Sequence, residues 1–217
     1  MLIGQVESPS AADLDQVVAL LELVLELDET TAAECLDKLV QQAQSGELNG
    51  ARLAALRGRL EKTLQPALAA DPKTTLHHAA TLLATLWRDE AAANRARAIV
   101  FDESQSQERR SSALHALAAV QDANLLQATG KLLTAMPTLQ SALLAAFAHY
   151  ESPEVARDVL RVYPQLPAGV QPQAIQLLTQ RTAWSKQLVA AVANGALPSS
   201  VVNENQLRAL QRTNDAE

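Results

Sequence analysis

Apolar residues recur along this chain three and four positions apart, in blocks of ten to fifteen letters separated by short polar breaks. That period is the signature of amphipathic helices, and the β-branched runs expected of strands are missing. Ser10 or Asp13 is placed to cap a first helix running to about Leu27, and Asp28 or Thr30 a second ending near Gly46. A third is predicted from Asn49 through Leu68, interrupted late by Pro66. Asp71-Pro72 reads as an N-cap followed by proline at the first helical position, opening a helix over TTLHHAATLLATLW. Further helices are expected from Asp89 to Val100, from Ser104 through the stretch RRSSALHALAAV, and after a restart at Asp122. Pro137 opens the next, ending near Tyr150, and Ser152-Pro153 repeats the cap-plus-proline device. Helices at roughly 168–180 and 183–194 follow, the latter with Thr182 as N-cap and Gly195 as its stop. A short helix near Glu204–Gln211 and a frayed TNDAE tail complete the reading.

The breaks come at a regular interval. An apolar anchor in alternate helices falls at Leu82, Leu114, Leu144 and Ile175, with separations of 32, 30 and 31 residues. Three residues on come Thr85, Leu117, Phe147 and Leu178; eight on come Glu90, Asp122, Ser152 and Ala183, three of which suit a helix start. Eighteen on come Val100, Leu132, Val162 and Ala193. Two helices per unit at a period near thirty point to an all-α protein, an α-solenoid superhelix in which each antiparallel pair buries its apolar face against its neighbours. Tetratricopeptide repeats have a longer period and defined aromatic positions, so HEAT-like pairs fit better. The expected domains are residues 1–70, a helical cap packed on the first pair, residues 71–212, the repeats, and a tail of 213–217.

Composition sharpens this picture. Hydrophobic residues make up 48% of the 217, mostly Ala, Leu and Val, while aromatics are 3% and glycines number 7; strong helix formers therefore dominate. Net charge is −6, all of it in residues 1–70, which hold 11 acidic and 5 basic side chains; residues 71–217 hold 13 of each. Phosphate-backbone binding needs a surplus of Lys and Arg, and base stacking needs aromatics, so nucleic acid is not an expected partner. The run VVALLELVLEL carries Glu22 and Glu26 and follows acidic residues, which reads as an amphipathic helix and not a signal peptide or membrane span. Cys35 is the only cysteine, so no intrachain disulfide can form.

Residues 73 to 212 resemble the HEAT-repeat segment of large multidomain proteins of planctomycetes and related bacteria. The resemblance lies in RRSSALHALAAVQDANLL, SPEVARDVL, and RTAWSKQLVAAVANGALPSS followed by QLRALQ. Those proteins join a sugar-dehydrogenase-like propeller, HEAT-like helices and a c-type haem-binding domain. This sequence has no CxxCH and no propeller strands, so the resemblance implies the helical spacer alone. It also implies a fragment of a larger, extracytoplasmic protein.

Residues with possible chemistry fit that spacer reading. Ser112 and His115 share a helical face, but no glycine-rich oxyanion loop or orienting acid accompanies them. His77 and His78 are adjacent, so they point about 100° apart on a helix and do not converge on one metal. His149 sits at a helix end, where a cation suits terminal carbonyls. Arg109 and Arg110 read as a solvated helix entrance, and Trp87 and Trp184 as packing residues between repeats. Second helices offer a binding surface: Arg95, Gln127 and Arg157 stand thirteen residues past their anchors, and Lys131 and Arg161 seventeen past. On a concave solenoid face they would form a polar-basic ladder for an acidic protein segment. Local pairing of Glu154 with Arg157 and Asp158 with Arg161 is the competing arrangement. The expected function is thus a non-catalytic, monomeric scaffold or protein-interaction module, without cofactor, whose partner is a protein or a neighbouring domain of a longer chain. The alternative is a HEAT-like enzyme or lyase-type subunit acting on a nucleic acid base or small cofactor.

Overall fold

The computed structural model describes residues 11–48 and 50–202, with side chains from residue 16 onward. Among these residues the protein is all-helical, with thirteen α-helices joined by short turns. The Glu204–Gln211 helix, the tail and the Ser10, Asp13 and Asn49 helix starts lie outside the residues whose side chains are described. No helix is long and apolar enough to cross a membrane among the described residues. The chain divides into two compact units, Met1–Ala96 and Arg97–Glu217.

The first unit holds α1 (Ala11–Leu27), α2 (Glu29–Ser45), α3 (Gly50–Leu60), α4 (Gln65–Ala69), α5 (Thr75–Leu86) and the start of α6 (Glu90–Phe101). Asp28 caps α2 as its sequence position demands, accepting from the amides of Thr30 and Thr31 at 3.1 and 3.3 Å. Gly46 stops that helix in the left-handed conformation. Helix α5 is the centre of the unit. Every residue from Leu76 to Leu86 is buried, as expected of a helix apolar on most of its circumference. It packs on α2 and α4, and the alanine pairs Ala32-Ala33 and Ala79-Ala80, all buried, permit close approach of α2 and α5.

The predicted N-cap at Asp71 is displaced by three residues. Asp71 accepts the Lys73 amide at 3.0 Å, its carbonyl takes the Thr74 amide, and the Thr74 hydroxyl caps α5 by accepting from His77 N. Asp followed by Pro is also the favoured opening of a β-turn, and here the turn wins. A similar competition moves the start of α7. Asp102 captures Ser104 through its amide and hydroxyl, so Ser106 becomes the cap.

The second unit continues from Arg97 with α7 (Gln107–Ala119), α8 (Ala123–Gln127), α9 (Thr129–Ala135), α10 (Gln140–Phe147), α11 (Pro153–Val162), α12 (Gln171–Leu178) and α13 (Thr182–Ala193). Pro137 starts a 3₁₀ turn and not α10 itself. Arg181, not Thr182, occupies the N-cap of α13 and makes no side-chain cap bond. Alternate helices lie side by side: α7 on α10 and α10 on α12 in one row, α9 on α11 and α11 on α13 in the other. The anchors Leu82, Leu114, Leu144 and Ile175 are all buried, as are Thr85, Leu117, Phe147 and Leu178 three residues later.

Two corners repeat in backbone detail. Arg88 and Gln121 both have positive φ, 61° and 56°. Each stands just before an aspartate whose amide reaches back five residues, Asp89 to the Ala84 carbonyl and Asp122 to that of Leu117. Both aspartates then cap the next helix, accepting from Ala92 N at 2.8 Å and Leu125 N at 2.9 Å. The polar break at each corner thus ends one helix and starts its successor.

Candidate functional site

The second-helix positions singled out by the repeat are set out by α6, α8, α9 and α11. Arg95 lies half-buried on α6, in the first unit. Gln127 ends α8 and Lys131 lies on α9, both exposed. Arg157 and Arg161 lie on α11 with side chains 63% and 67% exposed. Helices α9 and α11 are neighbours, and Arg161 lies against α9, where a Cβ added to Gly130 would overlap its guanidinium. Lys131 follows Gly130 directly, so Arg161 and the Lys131 turn belong to one stretch of surface.

Local pairing organises Arg157 and Arg161. Asp158 Oδ1 accepts from Arg157 Nε at 3.4 Å and from Arg161 Nη2 at 3.3 Å. Glu154 lies 4.0 Å from the Arg157 guanidinium. Asp158 is only 13% exposed while both arginines are largely in water. The carboxylate therefore sits beneath two guanidiniums and restricts them without hiding them. Exposed pairs of this kind add little stability, but they leave forked donors facing outward for an incoming carboxylate.

The Ser112 hydroxyl donates to the Arg109 carbonyl at 3.0 Å, one turn back along α7. His115 is half-buried, and burial, with His149 as a second cause, lowers its pKa from the ordinary 6.5. His77 and His78 are buried on α5. No group of three His, Cys, Asp or Glu residues is arranged to hold a metal among the described residues. Trp184 is fully buried, donates its indole N–H to the Ser152 carbonyl at 2.9 Å, and stacks under the Arg181 guanidinium at 5.1 Å.

Arg110 departs from the sequence reading. It is not part of a solvated entrance: its residue is 7% exposed, and Nε donates to the Val100 carbonyl at 3.0 Å. Its position is four before the anchor Leu114. Four before Leu144 is Gln140, whose amide donates to the Leu133 carbonyl at 2.8 Å; four before Ile175 is Gln171, which donates to the Leu166 carbonyl at 3.0 Å. Each ties the start of a first helix to the chain leading into it, and so satisfies a carbonyl near the end of the preceding segment. The signal that could have revealed them was the fixed offset of a long polar donor from an apolar anchor.

Comparisons of the chain with family models, with curated proteins and with solved structures found no match.

Proposed function

We propose that this protein is a non-catalytic helical-repeat module of HEAT-like pairs, an α-solenoid whose second helices hold an acidic segment of another protein or of a neighbouring domain. The observation that carries the reading is the Arg157–Asp158–Arg161 arrangement beside Lys131. A nearly buried carboxylate fixes two exposed guanidiniums on a helix that packs against the helix bearing a lysine. The repeated donors Arg110, Gln140 and Gln171 support it from a second side, because they give successive units the same internal fastening and so favour stacking of like on like. The resemblance to the helical spacers of multidomain bacterial proteins fits the same role.

The test is binding of an acidic peptide, rich in Glu, to the whole chain before and after double charge reversal, Arg157→Glu with Arg161→Glu. Charge reversal at two contacting sites is expected to weaken binding by at least about tenfold at low salt. Binding that is unchanged by the double reversal rejects the surface.

A further inference from the structure

Glycine is, after proline, the least favoured residue of a helix interior, because it loses backbone freedom and packs no side chain. Gly130 is nevertheless helical, and buried in α9. Among the described glycines it alone has neighbours where a Cβ would stand; at Gly46, Gly50, Gly58, Gly169 and Gly195 that space is open for 4 Å. The Arg161 guanidinium fills it, reaching across from α11. An added Cβ would overlap Nη2 and stand 3.4 Å from Cζ, whereas the Asp158 Cβ, at 3.7 Å, would be in ordinary contact. The conflict is with one side chain, at its charged end.

The same Nη2 donates to Asp158 Oδ1 at 3.3 Å. One nitrogen of Arg161 is therefore held from two sides, by a carboxylate of its own helix and by the bare backbone of the neighbouring one. Asp158 Oδ1 also accepts from Arg157 Nε at 3.4 Å, and Lys131 follows Gly130 directly in the chain. Arg161 thus stands between the other two cations. An arginine in that place bonds Asp158 through one nitrogen and still offers others outward in fixed directions, which a lysine cannot do.

We propose that Gly130 is a positioning residue of the surface on α9 and α11, and that Arg161, seated on it, is the anchor for one carboxylate of the acidic segment. This rests on the function proposed above. Any Cβ at position 130 takes the seat. Arg161 then leaves α9, its fork loses its fixed direction, and an incoming carboxylate has to order it on binding.

The test is a cycle of four whole-chain proteins: native, Gly130→Ala, Arg161→Gln and the double variant. Each is titrated with one fluorescent Glu-rich peptide at low salt. Gly130→Ala and Arg161→Gln are each expected to weaken binding by about fivefold. The double variant is expected to bind no more weakly than Arg161→Gln alone, because the alanine acts only through the guanidinium. Melting temperatures are read in parallel, and that of Gly130→Ala is expected not to fall below native, since alanine suits a helix and the guanidinium can move aside. Damage to α9 itself would instead weaken binding again in the Arg161→Gln background. That result, or native affinity in Gly130→Ala, overturns the seat and leaves the docking surface standing. A native chain that does not bind the peptide rejects the surface, and the seat with it.

Discussion

Arg97 and Asp122 form an ion pair in which both side chains are mostly withdrawn from water, 14% and 9% exposed. Asp122 has two further duties. It caps α8 through the Leu125 amide, and its carbonyl accepts the Tyr150 phenol at 3.0 Å. Burial, with the nearby Asp122 charge, raises the Tyr150 pKa, so the phenol stays a donor.

Asp122→Ala removes the charge partner and the cap together. Breaking a largely buried pair costs about 3 kcal/mol and losing an N-cap about 1 kcal/mol. Asp122→Asn retains the cap and loses only the charge, so it is expected to be less destabilising than alanine by about 1 kcal/mol. Urea unfolding of the three proteins checks both the total and the difference. Equal stability of Asn and Ala variants would show that the cap contributes nothing.

The donors four residues before the anchors make a separate prediction. Gln140→Met preserves the length of the side chain but leaves the Leu133 carbonyl without its donor. The expected loss is about 1–2 kcal/mol in urea unfolding. Gln107 on α7 also donates to a backbone carbonyl, that of Thr138 at 3.0 Å, but it is exposed. Gln107→Met is therefore expected to cost much less, and comparable losses at the two sites would refute the weight given to burial.

What the sequence reveals follows from which forces are local. The caps at Asp28, Asp89, Asp122 and Ser152 and the stop at Gly195 are short-range chemistry and were readable. The burial of Leu82, Leu114, Leu144 and Ile175 was readable because each stands in an apolar stretch of its own helix. Asp71 and Ser104 misled because a polar side chain next to a helix can close a turn as well as cap. Arg110 misled because its partner, the Val100 carbonyl, depends on how α6 enters α7, which no local pattern encodes. Arg157 and Arg161 were legible as residues of α11, whereas the carboxylate beneath them became a feature only once burial distinguished Asp158 from both arginines.

Glycine substitutions separate backbone conformation from space. Gly195 has φ of 76° with nothing within 4 Å of an added Cβ, so Gly195→Ala meets only the left-handed penalty, about 1 kcal/mol. Gly130 is helical, and its added Cβ meets the far end of Arg161, a flexible chain that can swing aside. Alanine gains about 1 kcal/mol of helix propensity there, so Gly130→Ala is expected to be neutral or mildly stabilising while displacing Arg161 from α9. Arg88→Gly removes a left-handed arginine and is expected to add up to about 1 kcal/mol. Thermal melts rank the three, and a destabilised Gly130→Ala would show that Arg161 is held firmly.

Acid should weaken the fold in two windows of opposite chemical origin. Burial, then His149, holds the His115 pKa below its ordinary 6.5, so between that depressed value and about 6.5 the unfolded chain binds more protons than the folded one. Stability then rises with pH, which means that its contribution is complete above about 6.5 and lost progressively as pH falls toward the folded value. Asp28 and Asp102 lie below their ordinary 3.8, Asp28 chiefly through the Thr31 hydroxyl and Asp102 chiefly through Ser104. Their contribution persists until the pH falls through those lowered values. Melting temperature is therefore expected to fall between about pH 7.5 and about pH 5.5, and more steeply in the native sequence than in His115→Gln. A parallel pair of curves over that interval would show that the imidazole is protonated in the folded protein as readily as in the unfolded chain.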